Sequence, residues 1–137
     1  MTHADVFEFL RGRRLAAVSS VSREGAPESA VVGIAVTRDL EIVFDTVKTS
    51  RKYGNLIANP AAAVVAWSGE RTVQYQGLTR EPEGAELDRY REIYFETFPD
   101  GRDRLAWPGI THFVIRPTWI RYCDFSARPP VMEEFSF

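Results

Sequence analysis

The residues with the clearest chemical potential are three in a row, Ser50-Arg51-Lys52. Ahead of them lie Ile42-Val43-Phe44, an apolar run rich in strand formers, and a turn from Asp45 to Thr49 in which only Val47 is apolar. Behind them the chain runs to Asn59-Pro60, where proline disfavours helix at the residue before it. This order predicts a short helix over Ser50–Ala58 with Ser50 as its N-cap. A strand that delivers hydroxyls, an arginine and a lysine to a helix start suits an anion, above all a phosphate. Free N–H groups and the helix dipole favour negative charge there, and a guanidinium adds a forked donor. The same residues also fit a solvated turn, since a basic pair near a helix start is otherwise mildly unfavourable.

A second group with chemical potential lies in Thr72–Arg80, read as a strand. Alternation puts Thr72, Gln74 and Gln76 on one face and Val73, Tyr75 and Gly77 on the other. Amides on a sheet face find either solvent or a polar ligand, because burying them unpaired is costly. The remaining candidates are sparse. His3 and His112 are the only histidines, and His112 falls in a strand, where a structural or surface role is expected. Cys123 is the only cysteine, which rules out an intrachain disulfide framework and a multi-cysteine zinc site. With no histidine near it in sequence, it reads as a packed strand cysteine, and no metal site is expected. No residue stands out as a proton donor.

The elements that must position these groups follow from pattern. A helix is expected over Thr2–Leu10, with Val6, Phe7, Phe9 and Leu10 buried. Strands follow at Leu15–Val21 and Glu28–Val36, the second made almost entirely of small and β-branched residues. Such a run is expected to be buried on both faces, or to have one face covered by something other than its own chain. Further strands are expected at Leu40–Asp45, paired with the strand before it across a tight turn, and at Ala61–Trp67. Pro82–Phe98 is the strongest helix, with Leu87, Tyr90, Ile93 or Tyr94, and Phe98 recurring at helical spacing as core packing. Arg102–Gly109 reads as an irregular connection. Two last strands, Thr111–Arg116 and Thr118–Phe125, are expected to break at Pro117. The tail, Ala127–Phe137, would pack on a partner subunit or fray. Close-spaced strands with turn signals argue for an antiparallel barrel.

The chain is expected to form a single domain over 1–137. A formal net charge of −2 gives it no general affinity for polyanions, so nucleic acid is not an expected partner. The first residues lack the basic-then-apolar order of a signal peptide, and no apolar run reaches membrane-spanning length, so a cytoplasmic location is expected.

Three segments together, GAPESAVVGIAV, IVFDTVKTSRKYGNLIANP and AVVAWSGERTVQYQG, resemble the flavin-binding split-barrel proteins of the pyridoxamine 5′-phosphate oxidase-like superfamily. The similarity runs over roughly Leu15–Arg80. Its most specific part is the Ser-Arg-Lys turn followed by Asn-Leu and Asn-Pro. The resemblance implies a six-stranded antiparallel split β-barrel, an FMN-binding fold, in a homodimer with cofactor sites at the subunit interface. Carried over by position, Arg51 and Lys52 would hold the FMN phosphate, with Ser50 in the same turn. Asp45 and Thr46 would line the ribityl chain or the phosphate. The backbone of Val31 and Val32 would face the edge of the isoalloxazine ring. Thr72 takes a position where the oxidase has glutamine, Gln74 lies two residues on, and Trp119 would cover the ring from the other subunit.

The departures from the oxidase pattern bear on activity. Ala30 and Ala35 stand where the true oxidase carries an arginine and a lysine, and its terminal Arg-x-His signature is absent. The resemblance therefore implies an FMN-dependent oxidoreductase acting on another small molecule, rather than a pyridoxine phosphate oxidase. Related split barrels bind the deazaflavin F420, for which Arg51, Lys52 and Lys48 would serve equally. A non-catalytic protein that sequesters flavin or haem is the reading from a different class, with His112 as the axial ligand that haem would want.

Overall fold

In the computed structural model, which describes residues 1–137, alternating apolar residues turn the strands into a barrel closed by one bent strand. Pro27–Gly33 (β2) and Ala35–Val36 (β3) are separated only by Ile34. Leu15–Val21 (β1) pairs with β2, and Ile42–Val47 (β4) pairs with β3. With Ala61–Ser68 (β5), Arg71–Arg80 (β6) and Ile110–Asp124 (β7), the antiparallel order is β2-β1-β5-β6-β7-β4-β3. Its two ends are halves of one strand. The ring therefore has six members and is the expected split barrel. Val131–Ser136 (β8) pairs with the far half of β7 and brings the count of strand segments to eight.

Three expectations are corrected by this arrangement. The strand over Glu28–Val36 is interrupted at Ile34, whose N–H donates to the Arg14 carbonyl at 2.9 Å while its side chain enters the core. The bend lets one strand serve both ends of the sheet. The break at Pro117 does not occur. β7 runs through it, because the pairing with β6 shifts register between Gln76 and Gly77 and absorbs the missing N–H. The tail does not fray: β8 packs Phe135 against the core, and the Phe137 ring lies 5.1 Å from that of His3.

Helices cover two parts of the barrel. His3–Arg11 (α1) begins with a capping box in which Thr2 and Asp5 satisfy each other's backbone N–H groups. It sinks Val6, Phe7, Phe9 and Leu10 into the barrel core beside Val18, Ile42, Phe44, Tyr75 and Ile120. Gly84–Thr97 (α3) starts later than expected. It lays Tyr90, Tyr94 and Phe95 on the outer side of the sheet against Ala35, Val43 and Val114. The irregular connection is a 3-10 segment over Pro99–Ala106. Arg51–Ala58 (α2) follows its expected N-cap, Ser50. Cys123 is buried in β7, as its apolar surroundings suggest. No helix is long and apolar enough to cross a membrane.

The outer side of β1, β5 and β6 has no such cover. Register places Val31, Ala17, Val65 and Gln74 in one row across it, and Ser29, Ser19, Ala63, Gln76 and Trp119 in the next. Val31 is 64% exposed and Trp67 54%, so this half of the sheet presents apolar side chains to the outside.

Candidate functional site

The strand β4 delivers its polar end to α2 and fixes the turn between them. Thr46 and Ser50 share a hydroxyl hydrogen bond of 2.9 Å, and the Tyr53 N–H donates to Ser50 Oγ at 3.2 Å. This cap sets the direction of α2 and places Arg51 and Lys52 in its first turn, which contains no acidic residue. The two side chains border a cleft of about 100 Å³ whose other walls are Val18 and Ser20 of β1 and Glu28, Ser29 and Ala30 of β2. Two cations, two hydroxyls and the open end of a helix would suit an anion.

Inside that cleft the fold adds a group that no local pattern assigns to it. One Glu28 carboxylate oxygen accepts from Asn55 Nδ2 at 2.8 Å, and the other lies 3.2 Å from Arg51 Nη1. The second Asn55 amide hydrogen goes to Ser20 Oγ at 3.0 Å. Asn55 and Ser20 are both buried, so the carboxylate rests on a rigid support. Lys52 pairs with no carboxylate. Residues 20, 28 and 55 come from three separate elements, and only Asn55 carried a sequence signal, through the Asn-Leu step.

A second cleft, of about 190 Å³, opens on the uncovered side of the sheet between Gln74, Gln76, Val65 and Trp119. The Arg121 guanidinium lies 5.3 Å from the Trp119 ring centre and pairs with Glu134, which fixes the indole at one wall. It adjoins a wider apolar cleft of about 430 Å³ that shares Ser19, Ala63 and Gln76 with it.

The expected site residues thus separate into two groups. Arg51 and Lys52 line the α2 cleft, and Thr46 and Ser50 form the hydroxyl-paired turn that precedes them. Val31, Thr72, Gln74 and Trp119 share the uncovered face, where Thr72 lies beside Trp67 and borders neither the α2 cleft nor the amide-and-tryptophan cleft. Val32 alternates inward and packs on the core, and β2 pairs along one edge only, which leaves outward-facing backbone groups beside both residues. Asp45 joins neither group. Alternation along β4 turns it to the α3 side, where Arg104 Nε donates to it at 2.7 Å and the same guanidinium holds Asp100 at 2.8 Å. Asp45 and Thr46 are adjacent in sequence and face opposite sides of one strand.

His112 is also removed from both clefts. It is fully buried between β7 and α3, edge-on to Tyr94 and Phe95. Its Nδ1 accepts from Arg91 Nε at 3.4 Å, and its Nε2 has no partner. Burial pushes its pKa down to about 4, with nearby Asp45 only partly opposing that shift. A haem iron cannot reach this ring while α3 is in place.

Comparison with known proteins bears on the same features. The sequence model for pyridoxamine 5′-phosphate oxidase matches residues 2–124. The chain belongs to that family. A pyridoxine/pyridoxamine 5′-phosphate oxidase of Thermosynechococcus vestitus is 34% identical over 118 residues, 85% of this chain and 52% of that protein. The chain therefore spans about half the length of this curated relative. Among solved structures, a heme binding protein from Mycobacterium smegmatis superposes with a TM-score of 0.81 at 18% identity, covering 98% of this chain and 56% of the other. A pyridoxamine 5′-phosphate oxidase-related FMN binding protein from Nostoc punctiforme superposes at 0.72 and 11% identity, covering 98% and 92%. At such identities the likeness speaks to the fold, and it agrees with the split barrel.

Proposed function

We propose that the protein is an FMN-binding member of its family that acts as a flavin-dependent oxidoreductase on a small molecule other than pyridoxine phosphate. The observation that carries this reading is the α2 cleft, an anion seat formed by Arg51 and Lys52 beside the Ser50 cap of a split barrel. A flavin bound there would supply the redox chemistry, and the protein would supply anchoring and orientation. The phosphate would lie against Arg51, Lys52 and the first N–H groups of α2. The Thr46–Ser50 hydroxyl pair would hold the turn that presents them.

The reading includes a homodimer. One copy offers its cationic cleft at α2 and its amide-and-tryptophan cleft on the bare sheet, and the cations of the first lie apart from the amides of the second. Two copies packed through the bare face would bury its apolar rows and let Gln74 and Trp119 of one subunit complete the flavin site begun by the other. F420 would use the same cations, and Lys48 is exposed near them, so it is the alternative ligand of this cleft. The enclosure of His112 removes the axial ligand that the haem alternative would want.

The test is a titration of the purified protein with FMN and with F420, followed by fluorescence quenching. Arg51→Ala/Lys52→Ala should weaken FMN binding by about 100-fold, the loss expected for two charge-assisted contacts of about 1.5 kcal/mol each. Unchanged affinity in the double variant would refute the phosphate seat.

A further inference from the structure

We propose that Glu28 is the residue that sets how much negative charge the α2 cleft accepts. This rests on the flavin reading and adds a specificity determinant to it. The cleft is lined by two cations, Arg51 and Lys52, and one anion, Glu28. A phosphate monoester, doubly charged near neutral pH, therefore meets a seat with one net positive charge.

Geometry makes this more than a matter of counting. The Glu28 carboxylate already occupies the place of an anion on Arg51, at 3.2 Å. It is held from below by Asn55, itself fixed to Ser20. Arg51 is the free partner, with 77% of its side chain exposed against 20% for Glu28. When a phosphate arrives, Arg51 can turn to it, while Glu28 stays on its buried support and faces the phosphate across the cleft. Repulsion at that range acts on charged ligands and spares neutral ones. FMN is then held as an exchangeable ligand, and the cleft discriminates weakly between FMN and riboflavin, which differ only in the phosphate.

The experiment is a measurement of Kd for FMN and for riboflavin by fluorescence quenching, with wild type, Glu28→Gln and Glu28→Ser. Glutamine keeps an acceptor for Asn55 and removes the charge. Serine also removes the charge and tests the result with a shorter side chain. Circular dichroism shows that each variant is folded. In the wild type, FMN should bind no more than about tenfold tighter than riboflavin. In Glu28→Gln, FMN should tighten by at least about tenfold with riboflavin within about twofold, so the ratio of the two constants rises. A wild-type preference for FMN of more than about 100-fold overturns the proposal without any variant. So does an unchanged ratio in the folded variants, although flavin binding itself then stands. If neither flavin binds any of the three proteins, the flavin reading falls and takes this inference with it.

Discussion

His112 shows how a single side chain can be chemically conspicuous and still lie outside the site. Its ring is sealed by Tyr94 and Phe95, its Nε2 has no partner, and its pKa is depressed to about 4 against a usual value of 6.5. A base with a lowered folded-state pKa binds its proton more readily in the unfolded chain. Stability from this group is therefore intact above about pH 6.5 and is lost as pH falls towards 4. The charged neighbours that bear on it are Asp45 from β4, Arg91 from α3 and Arg104 from the 3-10 segment. Melting temperature should drop across that window in the wild type. In His112→Phe, which fills a similar space without titrating, the slope should be shallower; an identical slope would assign the acid sensitivity to other groups. Asp45 carries the complementary lesson. Its partner is Arg104, whose proton is held firmly by the hydrogen bond to Asp45, so the carboxylate ties the 3-10 segment to the barrel.

At the scale of the element, β7 explains how a proline sits within a long barrel strand. Gly77 of β6 lies opposite Pro117, at the point where the register shifts. A Cβ on Gly77 would come within 2.7 Å of Ile115 Cγ2 and would collide with the Arg116 carbonyl, which is backbone and cannot swing aside. Gly77→Ala should therefore destabilise the fold by about 2 kcal/mol, the range of overpacking in a tight interior. Chemical denaturation would measure it, and a cost below about 0.5 kcal/mol would mean that the strand crossing is more yielding than its geometry indicates. The α2 element works in the opposite direction. Its cap, its basic first turn and its Asn55 all serve the adjoining cleft, and Tyr53 fastens the helix to Glu81 beyond β6 with a 3.1 Å hydrogen bond.

Across the whole molecule, the barrel is finished on one side and open on the other. α3 covers Val43 and Val114, whereas Val31, Val65, Trp67 and Leu78 stand uncovered on the remaining half of the sheet. If that half is the dimer face, Val65→Arg at its middle row should convert the protein to a monomer. Sedimentation equilibrium of wild type and variant would decide it. A wild type that already sediments as a monomer, or a variant that remains dimeric, would show that the bare face has another use.

Many of the elements are legible in the amino-acid sequence. The strand at Leu15–Val21, the helix under its Ser50 cap and the buried stripe of α3 follow from alternation, capping chemistry and helical spacing, which are local. The basic character of the Ser-Arg-Lys turn is legible for the same reason, because its residues are neighbours along the chain. The meeting of distant residues is not written locally. Nothing distinguishes Glu28 from any other strand glutamate until the closure of β2 onto β1 carries it to Arg51 and Asn55. The bend at Ile34, the passage of β7 through Pro117 and the docking of β8 are likewise outcomes of ring closure and pairing. Local chemistry thus fixes the elements and the charge that α2 presents. Which side of each strand meets that charge is settled by packing, since a period of two assigns alternate residues to opposite faces without saying which face is which.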